Sequence, residues 1–144
     1  MRKLNTIEKL LFYSALGMCI EVLFTALFDF ILSPNTILRG YSYICMIFIW
    51  GPAFYAIEFY GKKLIAFRVG VIWRRILCII CSWIVEYACG WFLQYATGSC
   101  PWDYSHATFH VHGLIRLDYF PCWALMASIV EYIYPYLDTI NLQN

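Results

Sequence analysis

The sequence predicts an all-α membrane protein: four transmembrane helices, arranged as a tandem repeat of two hairpins, with both termini in the cytoplasm. Two features of composition lead there. Of 144 residues, 62% are apolar and 20% aromatic, and only 13% are charged. A soluble domain keeps about a quarter of its residues charged, so this chain lacks the polar surface that water requires. The third observation is periodic. The apolar residues gather into four stretches, each near the roughly twenty residues needed to cross a hydrocarbon core about 30 Å thick. They are 10–32, 40–60, 75–95 and 113–137, forming a single integral membrane domain over 1–144 with a structured outer loop at 96–112.

The first stretch follows Arg2, Lys3 and Lys9 and superficially resembles a secretory signal. Its length, its Glu21 and Asp29, and the lack of an A-x-A cleavage pattern mark it instead as a retained helix. The second carries Gly51-Pro52 near mid-depth, and the fourth carries Pro121 in its outer half. Each proline removes an amide donor and loosens the carbonyl four residues earlier, at Phe48 and Leu117. Orientation follows from the basic residues. Arg2, Lys3, Lys9, Lys62, Lys63, Arg68, Arg74 and Arg75 fall on one side, against Arg39 and Arg116 on the other, which puts both termini inside. Seven cysteines, an odd number lying mostly within helices, read as small apolar packing residues rather than a disulfide framework.

An internal repeat aligns the two hairpins. Gly40, Trp50 and Glu58 recur at the same spacing as Gly113, Trp123 and Glu131, and Gly17, Glu21 and Thr25 match Ser82, Glu86 and Gly90. Two crossings per copy give the copies one orientation, related by an axis along the membrane normal. Glu21 and Glu86 lie about 16 Å along their helices, near the midplane. An ionised carboxylate there costs about 2.5 to 3.5 kcal/mol on insertion scales. Small residues four before and four after share the carboxyl's face and admit another backbone. Glu58 and Glu131 fall near the cytoplasmic boundary and read as wetted carboxylates that pair with Lys62 or Lys63. Arg116 and Asp118 are two apart, off a common helical face, so Arg116 is expected to reach toward Asp103 or a lipid phosphate.

The outer loop, TGSCPWDYSHATFHVHG, is the densest polar segment. Asp103, His106, His110 and His112 have poor spacing for a metal, and none is expected. A tightly folded cap is expected instead, with Trp102 at the interface and Asp103 capping a turn. The run CPWDYS at 100–105, followed by Gly113-Leu-Ile and Leu117-Asp-Tyr, resembles the animal transmembrane-protein-229 family, as does GMCIEVLFTALFDF at 17–30. Around Trp102-Asp-Tyr-Ser, Gly113 and Trp123 the chain is also similar to a bacterial group labelled ABC-transporter permeases of the CmpB type. The resemblance implies four membrane helices and singles out Glu21, Glu86, Trp102, Asp103, Tyr104, Ser105 and Gly113.

A net charge of +1, from ten Lys and Arg against nine Asp and Glu, gives no footprint for nucleic acid. No G-x4-G-K-[ST] loop occurs, so any nucleotide-driven motor comes from another chain. No cofactor motif is present, and no nucleophile, base and orienting group stand at recognisable spacing. The functional expectation is a non-enzymatic subunit or partner in a membrane assembly, or a homo-oligomer, with the lipid bilayer as solvent. The alternative is a transporter or channel component holding a proton or cation at Glu21 and Glu86, with Glu58, Arg116, Asp118 and Glu131 as secondary candidates.

Overall fold

Four α-helices, with two short strand pairs, organise the chain in a computed structural model that describes residues 2–32 and 37–142. They are α1 (Thr6–Leu32), α2 (Ile47–Ala66, entered through a 3-10 turn at Ile44–Met46), α3 (Val71–Thr97) and α4 (Phe120–Leu137). Strand β1 (Arg2–Lys3) pairs antiparallel with β4 (Asn141–Leu142), and β2 (His110–Val111) with β3 (Ile115–Arg116). The segments Thr6–Leu32, Ile44–Ala66 and Val71–Thr97 are long and apolar enough to cross a membrane. α4 is shorter, at 18 residues.

Several expected boundaries shift: α1 begins at Thr6 rather than 10 and α3 at Val71 rather than 75, each one turn earlier. The fourth helix begins at Phe120 rather than 113, because 110–116 folds as a hairpin whose turn residues His112 and Gly113 have φ of 52° and 71°. That backbone cannot continue a right-handed helix. Pro121 therefore stands in the first turn of α4, where its missing N–H would have no intrahelical partner anyway. It loosens no carbonyl at Leu117. The second helix starts at Ile47 rather than 40 and runs on to Ala66. Gly40 abuts the Val22 carbonyl and the Ala26 side chain instead of opening a helical turn. Lys62 and Lys63, which read as the helix exit, lie inside α2, with Lys63 over the Phe59 ring at 4.2 Å. Long basic side chains allow this by laying their stems along apolar surface.

The chain forms two compact units, Met1–Tyr55 with Leu137–Asn144, and Ala56–Tyr136. Their division falls inside α2, so they do not coincide with the two expected hairpins. The first unit packs α1 on the leading half of α2. Tyr13 and Phe54 are fully buried and meet edge to face at 6.1 Å, and Trp50 lies 5.2 Å from Phe54. Gly17 sits directly beneath Trp50, and Gly51 beneath Ser14, whose hydroxyl donates to the Ile47 carbonyl at 2.8 Å. The start of α1 is fixed by a reciprocal cap. Asn5 Oδ1 accepts the Glu8 N–H at 2.9 Å, Glu8 Oε2 accepts the Asn5 N–H at 2.8 Å, and Arg2 grips the same carboxylate. At the ribbon end, Lys9 donates to Asp138 at 2.7 Å.

The second unit holds the trailing half of α2, then α3, the outer loop and α4. Val130 is fully buried and Met126, Ala127 and Leu114 nearly so. α3 ends at Gly98, whose φ of 79° and N–H bond to the Gln94 carbonyl at 3.0 Å make a left-handed cap.

Two glycines should answer oppositely to a methyl group. A Cβ on Gly17 would overlap Trp50, whereas one on Gly61 meets only Glu131 at 3.9 Å. Gly17→Ala is expected to cost about 1 to 3 kcal/mol through overpacking, and Gly61→Ala to gain about 0.5 to 1 kcal/mol from helix entropy. Thermal unfolding in detergent, comparing both midpoints with the parent, checks the pair.

Candidate functional site

Each unit contains one carboxyl group clasped by an aromatic donor. In the first unit, α1 presents Gly17, Glu21 and Thr25 along one face, since residues four apart stack on a helix. Gly17 makes room for the Trp50 side chain, and the Trp50 Nε1–H donates to Glu21 Oε2 at 2.6 Å. Thr25 Oγ1 donates to the Tyr41 carbonyl and accepts the Tyr41 N–H, both at 2.9 Å. Thus the stripe grips the chain entering α2 at three successive levels.

In the second unit, α3 presents Ser82, Glu86 and Gly90 in the same spacing, but its partner is the outer loop. The Tyr104 hydroxyl donates to Glu86 Oε1 at 3.2 Å. A Cβ on Gly90 would lie 3.1 Å from Leu114, 3.2 Å from the Trp102 ring and 3.5 Å from the Cys100 sulfur. The loop therefore rests where α3 has no side chain.

The loop is tied together by its own polar groups. Asp103 Oδ1 accepts the Ser105 N–H at 2.9 Å, and Ala107 N–H bonds the Tyr104 carbonyl at 2.9 Å. The Trp102 indole donates to the Leu114 carbonyl and the Tyr104 N–H to the Gly113 carbonyl, each at 2.9 Å. Gly113 is required twice: its φ is positive, and a Cβ would stand 2.9 Å from Asp103 Oδ1. These bonds bring Trp102, Asp103, Tyr104, Ser105 and Gly113 into one cap. The hydrogen bonds from Ser105 hold the Asp103 carboxyl below the usual aspartate range.

The secondary candidates depart from expectation. Arg116 turns to Asp118 rather than Asp103 or a phosphate, with bonds of 2.8 and 2.9 Å, and also donates to the Tyr119 hydroxyl at 3.2 Å. The cause is conformation. At φ −120° and ψ 111° Arg116 stands outside any helix, immediately before the 3-10 turn Leu117–Tyr119 that carries Asp118, so the helical-face rule does not separate the two. The guanidinium keeps the Asp118 carboxyl below its ordinary range. Glu58 is not a wetted carboxylate. It is 3% exposed and accepts from Lys62 at 2.6 Å, because α2 continues eight residues beyond it. Glu131, expected to pair with Lys62 or Lys63, is held instead by two arginines. Arg74 holds it through bonds of 2.9 and 3.1 Å and Arg75 through two contacts of 2.9 Å, since α3 starts at Val71 and carries both arginines in its first turns.

The histidines serve the hairpin. His110 Nδ1 accepts the Gly113 N–H at 3.0 Å, and His112 Nδ1 lies 2.9 Å from the Tyr87 hydroxyl. Among the described residues, no three His, Cys, Asp or Glu groups gather as a metal site. The residues that sequence reasoning leaves out of the site are the donors to its acids: Trp50, Arg74 and Arg75. Trp50 carries a signal, its recurrence with Gly40 and Glu58 in the repeat. The arginines register in the sequence only as charge on one side.

Two consequences of the cap can be measured. Gly113→Ala should destabilise by about 1 to 2 kcal/mol from the left-handed backbone alone, with the contact to Asp103 adding to it, read from the thermal midpoint in detergent. The Asp103 carboxyl, depressed in the folded chain, contributes stability above its unfolded pKa and loses it as pH falls through the folded value. Acid titration of tryptophan fluorescence should therefore show an acid-side transition that Asp103→Asn diminishes.

A family model described as putative ABC-transporter type IV, of the CmpB type, matches residues 9–143. No solved structure matches the chain. The match takes in both carboxyl clasps, the loop cap, α1 from Lys9 onward and the other three helices. The chain belongs to the CmpB-type putative ABC-transporter type IV family.

Proposed function

We propose that this protein is a non-enzymatic membrane subunit of a transport assembly, in which a separate chain supplies any nucleotide-driven motor. The observation that carries the reading is the family match over residues 9–143. The character of the helices agrees with it. Only 11%, 28% and 6% of the most apolar windows of α1, α2 and α3 is buried within the chain. Their remaining apolar surface needs lipid or other membrane helices against it. Homo-oligomers or complexes with other membrane subunits would supply the latter.

In this proposal the chain is one integral membrane domain with four crossings, α4 being the fourth, and with both termini cytoplasmic. The pairing of β1 with β4 and the Lys9–Asp138 ion pair support the count. Strands that pair at the two ends of the chain lie on one side of a bilayer, which requires an even number of crossings. The basic residues favour the cytoplasm for that side. The tandem repeat belongs to the same proposal, supported by the parallel between Gly17–Glu21–Thr25 and Ser82–Glu86–Gly90. So does kinship with the animal transmembrane-protein-229 family through the CPWDYS motif.

Glu21 and Glu86 act in this reading as structural clasps. Each has a carboxylate oxygen occupied by a Trp or Tyr donor on another segment of its unit. A carboxyl so engaged locks packing, whereas a site for a passing proton or cation needs its oxygens accessible. Replacement by Gln keeps the shape and an acceptor but removes titration. In liposomes, Glu21→Gln and Glu86→Gln should leave proton and cation flux at the parent's level. In detergent, Trp50→Phe and Tyr104→Phe should each lower the thermal midpoint and weaken any oligomer or partner complex seen by size-exclusion chromatography. Proton or cation flux that the parent shows and the Gln variants lose would replace this reading with that of a midplane ion site.

A further inference from the structure

The turn between α2 and α3 contains a residue in the wrong conformation for its type. α2 ends in a Schellman arrangement: the Val69 N–H bonds the Leu64 carbonyl and the Arg68 N–H the Ile65 carbonyl, each at 2.9 Å. This closure requires a left-handed residue at position 68, where Gly is the usual occupant because it lacks a Cβ. Here the residue is Arg68, with φ 55°. A bulky side chain held in a left-handed backbone is a strain that points to a use for that side chain.

The surroundings suggest the use. Five cations, Lys62, Lys63, Arg68, Arg74 and Arg75, fall within fourteen residues, and the acids that face them, Glu58 and Glu131, are already engaged by Lys62, Arg74 and Arg75. Arg68 and Lys63 are exposed, and among the described residues neither forms an ion pair. Arg74 also donates to the Val69 carbonyl at 2.7 Å, which fixes the turn from the α3 side. Around these two cations Phe67, Ile72 and Trp73 are 79%, 70% and 64% exposed. The turn joins two segments that are each long and apolar enough to cross a membrane, so it stands at the bilayer surface. Exposed cations beside exposed aromatic and aliphatic groups suit the zone where phosphates lie above acyl chains.

We propose that the α2–α3 turn binds the headgroup of an anionic phospholipid in the surrounding leaflet, with Arg68 as its main contact and Lys63 beside it. The left-handed closure projects the guanidinium from a rigid corner, and Phe67 and Trp73 seat among the chains and glycerol groups beneath. A soluble acidic partner would match the charge, but it would leave three large apolar side chains to find their own cover.

The strain itself provides a clean test, because Arg68→Gly removes the charge while giving the backbone the residue that it favours. The full-length protein would be reconstituted in vesicles of equal phosphatidylglycerol and phosphatidylcholine, extracted in mild detergent, and its retained lipids weighed by native mass spectrometry. The parent should be enriched in phosphatidylglycerol. Each cation removed near a surface should cost about five-fold in that enrichment, so Arg68→Gly loses about five-fold and Arg68→Gly with Lys63→Gln about twenty-five-fold. Arg68→Lys should keep most of it. The thermal midpoint of Arg68→Gly should equal or exceed the parent's. Equal retention of both lipids by the parent, or unchanged enrichment in Arg68→Gly, overturns the proposal. So does a midpoint lowered by Arg68→Gly, which makes the side chain structural. Displacement of the lipid by millimolar inorganic phosphate reassigns the site to the free ion. Loss of a co-purifying soluble subunit from Arg68→Gly, with its lipid enrichment intact, reassigns the turn to a protein.

Discussion

Hydrocarbon gives helices no reason to hide apolar side chains from one another, so close approach and hydrogen bonding have to do what water would otherwise drive. This chain meets that constraint with the same device in each unit. A residue without a side chain, Gly17 or Gly90, lets an aromatic ring come down onto a helix. One turn away a carboxyl receives a donor, Trp50 Nε1–H on Glu21 or the Tyr104 hydroxyl on Glu86. Each part depends on the other. Without the glycine the neighbouring segment stands too far off for the bond, and without the donor the carboxyl would be an uncompensated polar group on an apolar helix.

The two clasps differ in what they fasten. At Glu21 the donor comes from a helix, so the bond joins two rigid rods. At Glu86 it comes from a loop, and the loop must first be given shape by the Asp103 turn, the His112–Gly113 hairpin and the Trp102 bond to Leu114. The second clasp is thus conditional on a chain of local conformations, which is why WDYS and the distant Gly113 function as one motif. The family match spans both clasps and that motif alike.

Much of the architecture is legible in composition alone. Hydropathy locates the helices, three of which are apolar runs near the bilayer's thickness, a length with little use outside a bilayer. The carboxyls at Glu21 and Glu86, and the small residues around them, are visible because charge in an apolar helix is rare. Boundaries are less legible where a residue's chemistry and its position disagree. Lys62 and Lys63 suggest a helix end, yet α2 continues past them to Ala66. Gly113 resembles the start of a helix by analogy with Gly40, and neither opens one. The partners are least legible of all. Nothing in the spacing of Glu131 names Arg74 and Arg75, because the pairing depends on how α3 and α4 lie against each other. Likewise a helical assumption keeps Arg116 and Asp118 apart, but Arg116 lies outside any helix, just before the 3-10 turn that carries Asp118.

The short ribbon of β1 and β4 carries an implication for how the molecule is made. Its two strands are separated by nearly 140 residues, so their pairing, and the docking of Lys9 on Asp138, must await synthesis of the second strand. Until then Lys9 lacks the Asp138 carboxylate that it meets in the folded chain. Closing the ribbon is therefore a late, long-range event in biogenesis, slow to arrive on grounds of loop closure alone. It ties together two segments that lie far apart in the sequence.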